Sequence, residues 1–267
     1  MFCRRHVIGG ILSTSAFGVL SVAGLSGGSA ASGPPLVAAA ASLRSVLPEL
    51  VAAFAAEAGA MPRLSFGSSG NLARQIRQGA PFELFLSADE DFVLDLARDR
   101  LTIDEGVGYA SGRLALFVPK GSPILPDPAL RGARRALEDD TLRCFAIANP
   151  NHAPYGRAAQ ETLERADLWD AIRPRLVFGE NVSQAAQFAA SGSCDGALIS
   201  LSLAVDPKVA ARGAHETIPP DAHTPVRHRM VLLPSAGEGA KRLYAFLSSE
   251  KARAVFSRHG FAEPAEG

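Results

Sequence analysis

The chain has 267 residues, 47% of them hydrophobic and 20% charged, with 27 basic side chains against 27 acidic ones. That balance describes a globular chain with enough length for one or two cores, and it excludes the disordered and fibrous classes. No block of Lys or Arg stands out, so nucleic acid is not an expected partner.

Residues 1–31 stand apart from the rest. Arg4 and Arg5 precede an uncharged stretch over 7–25, which runs into small residues at Ser29, Ala30 and Ala31. This is the pattern of a cleavable secretory signal, and its Ser, Thr and Gly content makes a poor membrane span. The Arg4-Arg5 pair also admits a twin-arginine export route. Cleavage after Ala31 would remove two positive charges and leave a soluble periplasmic protein of net charge −2.

From Leu36 onward, short apolar runs alternate with helical stripes. Strands are predicted at 36–40, 63–66, 82–86, 113–118, 143–148, 175–178, 197–201 and 229–233. The clearest stripe is Leu43, Val46, Leu47, Leu50, Val51 and Phe54, spaced to fall on one helical face. Such alternation argues for an α/β fold with mainly parallel sheets. Proline-rich segments at 121–128 and 207–225 break the rhythm. The strands at 113–118 and 229–233 are expected to pair as a double crossing between two lobes. Lobe one would then comprise 33–112 plus 226–267, and lobe two 113–225. Closing helices near 240–247 and 249–258 end at Gly260, a suitable C-cap.

Of the three cysteines, Cys3 falls in the signal, while Cys144 and Cys194 each open a predicted strand. A bridge forms if those strands are neighbours; two buried thiols is the plainer expectation. No CxxC or His/Cys spacing suggests zinc.

Four strand-to-helix turns carry the chemistry: ASLRS with Ser42, FGSSGNLARQ with Ser68 and Ser69, NPNHAPYGRAA with Tyr155, and GENVSQAA with Val182. A helix start presents N–H groups without partners and a partial positive charge. In open α/β sheets such strand ends face the ligand crevice. For any one turn, plain N-capping explains a serine. Four turns, two per lobe, favour a shared site of neutral donors for a small anion.

The segments AAASL, SFGSSGNLARQI, GAPFELFLSAD, HAPYGRAA with LWDAI, and the Glu-Asn-Val turn occur in this order. In that order they resemble the periplasmic molybdate-binding proteins of ABC transporters, over nearly all of the chain after the signal. The resemblance implies a two-lobed, type II periplasmic binding fold that closes over a tetrahedral oxyanion, with no cofactor and no cation. It implies Ser42 and Ser69 as hydroxyl and amide donors from lobe one, with Ser68 as the alternative to Ser69. Tyr155 and Val182 would give backbone amides from lobe two. At the fifth position, where many relatives carry a tyrosine hydroxyl, this chain has Ser200, which is too short to reach as far. The implied ligand is molybdate or tungstate, and the implied partners are a membrane permease and its ATPase, with the receptor itself a monomer.

Two other receptor or enzyme readings stay open. Sulfate and phosphate share the charge and shape class of molybdate, so a receptor for either is the nearer alternative. An extracytoplasmic serine hydrolase is the more distant one, since Gly67–Gly70 reads GSSG and does not match G-x-S-x-G. It would require a histidine within reach of Ser42 or Ser69. His152, His215, His223, His228 and His259 are scattered without paired spacing. Asp89, Glu90 and Asp91 read as a solvated helix start and lack the register of a calcium loop.

Overall fold

The computed structural model of the chain describes residues 33–59 and 61–264. The expected signal at 1–31 lies outside them. All described residues fall in one compact unit. Ten strands are seen: β1 (Leu36–Ala40), β2 (Arg63–Gly67), β3 (Leu84–Ser87), β4 (Val107–Gly112), β5 (Leu114–Pro119), β6 (Phe145–Ala148), β7 (Leu176–Gly179), β8 (Gly196–Ser200), β9 (Gly213–Thr217) and β10 (Val226–Leu232). They form two five-stranded sheets of matching order, β2-β1-β3-β10-β4 and β7-β6-β8-β5-β9.

In the first sheet β2, β1 and β3 are parallel, β10 runs antiparallel to β3, and β4 runs antiparallel to β10. The second sheet repeats this with β7, β6 and β8 parallel and β5 antiparallel to both β8 and β9. The one reversed strand of each sheet is the one that arrives from the other sheet. The expected pairing of the strands at 113–118 and 229–233 is therefore corrected: β5 and β10 lie in different sheets. Each pairs instead with an edge strand, β5 with β9 and β10 with β4. Both edge strands escape a search for apolar runs for one reason. An edge strand with a wet face needs few apolar side chains, and GAHET over β9 and VGYASG over β4 supply few.

The central strands read as continuous small or apolar runs because both of their faces are covered. In β1, Val37 and Ala39 join the larger core while Ala38 faces the other way. Ala38 packs there with Leu72, Ile76, Phe85, Val93 and Leu96. The larger core continues without a break into the second sheet through Leu116, Phe117, Ile147 and Leu198.

Cys144 and Cys194 are bridged, with Cα atoms 4.7 Å apart. This overturns the expectation of two thiols. The parallel register sets Phe145 opposite Gly196, so the residues just before the two strands meet. Beside the bridge, buried Asp195 accepts from the Arg143 and Cys144 amides at 2.7 and 3.3 Å and pairs with the Arg143 guanidinium. Burial raises the Asp195 pKa, but these donors outweigh it and hold the carboxyl below its ordinary value.

Candidate functional site

The carboxyl ends of β1, β2, β6 and β7 lead into the four turns singled out in the sequence. Each is built differently. Pro48 stands in the first turn of the helix Leu47–Ala58 and marks its start. Ser42 therefore sits upstream on a separate 3-10 turn, Ala41–Leu43, and not at an α-helix start as its spacing suggests. Ser68 is the N-cap of the helix Ser69–Arg77, with Ser69 its first residue. Ala153 caps the helix Pro154–Arg165, and Asn181 caps the helix Val182–Ala190.

These turns line one small cavity. Ala40, Ala41, Ser42, Ser68, Ser69 and Ala88 line it from one side, and Ala153, Pro154, Tyr155, Asn181 and Val182 from the other. Among the described residues no charged side chain lines it. Ser42, Ser69, Tyr155 and Val182 are thus brought together.

The donors can be counted. Pro154 has no N–H, and the amides of Gly156 and Arg157 bond to the Ala153 carbonyl. The Tyr155 amide is therefore the first N–H that this helix offers. Asn181 Oδ1 accepts from the amides of Ser183 and Gln184, which leaves Val182 as the free end of its helix. Ser69 Oγ accepts the Ala88 amide at 2.9 Å, so its own proton remains available. Ser42 Oγ is fully buried and has no hydrogen-bond partner among the described residues. A hydroxyl buried in that way costs stability unless an acceptor arrives.

Ser68 serves a different purpose. Its hydroxyl lies 2.9 Å from His152 Nδ1, and Glu180 Oε2 lies 3.7 Å from His152 Nε2. Next to it the Gly70 amide donates to the His152 carbonyl at 3.0 Å, and Asn71 bonds Glu180. A side chain at Gly70 would put its Cβ 2.8 Å from that carbonyl, so this approach of the two sheets' turns needs glycine. Asp89 caps the helix Glu90–Arg98 and pairs with Arg157.

Ser200 does not line the cavity. It ends β8, fully buried, with its hydroxyl 3.0 Å from Ser202 Oγ. Ser202 Oγ in turn donates to the Ser42 carbonyl at 2.8 Å, so the pair props the Ser42 turn from behind. Two residues not expected at the site from the sequence lie close by. His228 on β10 and Tyr109 on β4 are buried, with Tyr109 Oη 3.0 Å from His228 Nδ1 and Tyr155 Oη 3.4 Å from His228 Nε2. The signal for His228 was present: Val226, His228 and Met230 alternate inward with Arg227 outward. Burial lowers the His228 pKa to about 3, so the imidazole is neutral. Burial likewise pushes both phenols up, the nearby Ser42 hydroxyl tempering the shift at Tyr155.

Comparison with known proteins gives the family and the fold. Residues 35–262 match the model of a family described as bacterial extracellular solute-binding protein. The chain is 32% identical over 241 residues to the molybdate-binding protein ModA of Rhodobacter capsulatus, an alignment covering 87% of this chain and 89% of that one. Its fold is similar to that of the periplasmic molybdate-binding protein of Azotobacter vinelandii, with a TM-score of 0.78 and 28% identity over 86% of this chain and 99% of that one. The sulfate-binding protein SubI of Mycobacterium tuberculosis shares the fold at a TM-score of 0.70 and 15% identity, covering 88% of each chain.

Proposed function

Because this chain belongs to the bacterial extracellular solute-binding protein family, we propose that it captures molybdate, and tungstate by the same contacts, for an ABC importer. The observation that carries this reading is the cavity itself: neutral donors converge on it, and Ser42 Oγ is buried there without an acceptor. A buried oxyanion is tolerated when its oxygens are saturated with hydrogen bonds, each charge-assisted and stronger than a neutral one. The proposed donors are the Ser42 and Ser69 hydroxyls with the Ser69, Tyr155 and Val182 amides. Ser68, held by His152, acts on closure instead.

Lobe one on this reading is 33–112 with 226–267, lobe two is 113–225, and 1–31 is a signal removed on export to the periplasm. The receptor works as a monomer that hands its anion to a permease. Anion contacts to both lobes favour the closed state over the open one. Molybdate and sulfate carry the same charge, so the size of the cavity must discriminate between them.

Calorimetric titration of the purified protein with molybdate, tungstate, sulfate and phosphate tests the reading. One-to-one binding of the first two, with the others silent, is the expected result. Heat from sulfate or phosphate alone would reassign the ligand, and heat from none would end the receptor reading. The hydrolase reading needs a histidine within reach of Ser42 or Ser69, and His152 contacts Ser68 instead. Turnover of an ester substrate, abolished by Ser68→Ala, would favour it.

A single backbone donor can also be deleted. Val182 is the first residue of its helix, and Asn181 before it is extended (φ −153°, ψ 171°), a conformation compatible with a following proline. Val182→Pro is expected to keep the helix and weaken molybdate binding about tenfold to hundredfold. Unchanged affinity, with the fold intact by circular dichroism, would remove Val182 from the site.

A further inference from the structure

Tyr155 faces two ways. Its amide opens the helix Pro154–Arg165 toward the anion cavity, while its phenol reaches the strands β4 and β10 of the other sheet. There it meets His228 Nε2 at 3.4 Å and lies beside the Ser42 hydroxyl. It enters only because residue 112 is glycine: a Cβ there would fall 2.2 Å from Tyr155 Oη and 3.1 Å from His228 Nε2. His228 is boxed by the rings of Tyr109, Tyr155 and Phe261, with centroids 5.3 to 6.1 Å away. The only polar groups that the described residues bring to its two nitrogens are the two phenols.

A neutral imidazole has one proton, and its position decides what the Tyr155 hydroxyl can do. With the proton on Nδ1, Nε2 is an acceptor and takes the Tyr155 proton, so the phenol has nothing left for the cavity. With the proton on Nε2, the imidazole donates to Tyr155 Oη and the phenol proton turns away, toward Ser42 and the anion. Tyr109 selects between the two. Its single proton has two acceptors within reach, His228 Nδ1 at 3.0 Å and the Ser87 carbonyl at 3.3 Å. Given to the carbonyl it would leave the imidazole proton on Nδ1, and the shorter contact favours Nδ1 as its acceptor. A phenol donating to Nδ1 holds the proton on Nε2.

We propose that His228 and Tyr109 are positioning residues that free the Tyr155 hydroxyl as a side-chain donor at the Ser42 edge of the anion site. The phenol supplies the donor that Ser200, turned toward Ser202, does not. Tyr155 thereby reaches the anion twice, through its amide and through its ring, and ties the helix Pro154–Arg165 to β4 and β10 when the site is full. The inference rests on the molybdate reading and adds to it the group at the fifth position and the residues that orient it.

The test combines titration with a direct view of the imidazole. Tyr155→Phe keeps the ring and the backbone amide, and is expected to bind molybdate about tenfold to hundredfold more weakly. Tyr109→Phe is expected to weaken binding by a smaller factor. In the molybdate-loaded, 15N-histidine-labelled protein, long-range proton–nitrogen correlation should find the His228 proton on Nε2. That signature would not follow if Tyr109 and His228 only filled space. A proton on Nδ1 in the loaded protein, or unaltered affinity of Tyr155→Phe, overturns the inference and leaves the molybdate reading in place. Absence of molybdate binding by the unaltered protein removes both.

Discussion

Ser42→Ala is expected to weaken molybdate binding about tenfold to hundredfold while making the empty protein more stable. The two effects have one cause. Ser42 Oγ is buried with no group in good hydrogen-bond geometry, only the Tyr155 phenol lying close by, and a buried hydroxyl left so poorly satisfied costs about 1–3 kcal/mol. Alanine removes the penalty from the empty protein and the donor from the filled one. A gain of about 1 kcal/mol raises the melting temperature of a protein this size by about 2–4 °C. Ser69→Ala should behave differently. Ser69 Oγ accepts the Ala88 amide, so its loss orphans a buried N–H and destabilises the empty protein as well as weakening binding. Thermal unfolding with and without molybdate, alongside titration, separates the two variants. A destabilised Ser42→Ala with full affinity would mean that the hydroxyl has an ordinary structural role.

Removal of the Cys144–Cys194 bridge should cause the largest loss of stability. The bridge spans a sequence separation of 50, for which the chain-entropy model gives about 4 kcal/mol. Serine at both positions is expected to move the midpoint of denaturant unfolding down accordingly, with a steeper slope because the unbridged unfolded chain exposes more surface. Affinity for molybdate should change little, because the bridge joins the starts of β6 and β8. The cavity lies at the opposite, carboxyl end of β6, one strand length away. Thiol labelling of the unreduced, denatured protein freed of residues 1–31, and so of Cys3, should be blank. Equal midpoints with and without reductant would show that the bridge adds nothing.

The parts of the fold legible in the sequence are those whose physics is local. β1, β6 and β8 are covered on both faces and so read as unbroken apolar runs. β4 and β9, at sheet edges, carry no such run, and without them β5 and β10 were left to pair with each other. Ser69 and Val182 are legible as site candidates because each follows a strand and opens a helix. Tyr155 is legible for the same reason, but only as an amide. Where its phenol goes depends on Gly112, 43 positions away, and on His228.

By itself, then, the sequence determined the alternation of strands and helices, the four turns and the neutral character of their donors. Each of these follows from side-chain period and helix-end chemistry within a dozen residues. The tertiary structure alone decided which turns share a cavity, that Cys144 meets Cys194, and that Ser200 turns toward Ser202 while Tyr155 crosses to His228. Those outcomes depend on strand register and on the close approach of distant backbones. Neither leaves a mark on the local pattern of residues.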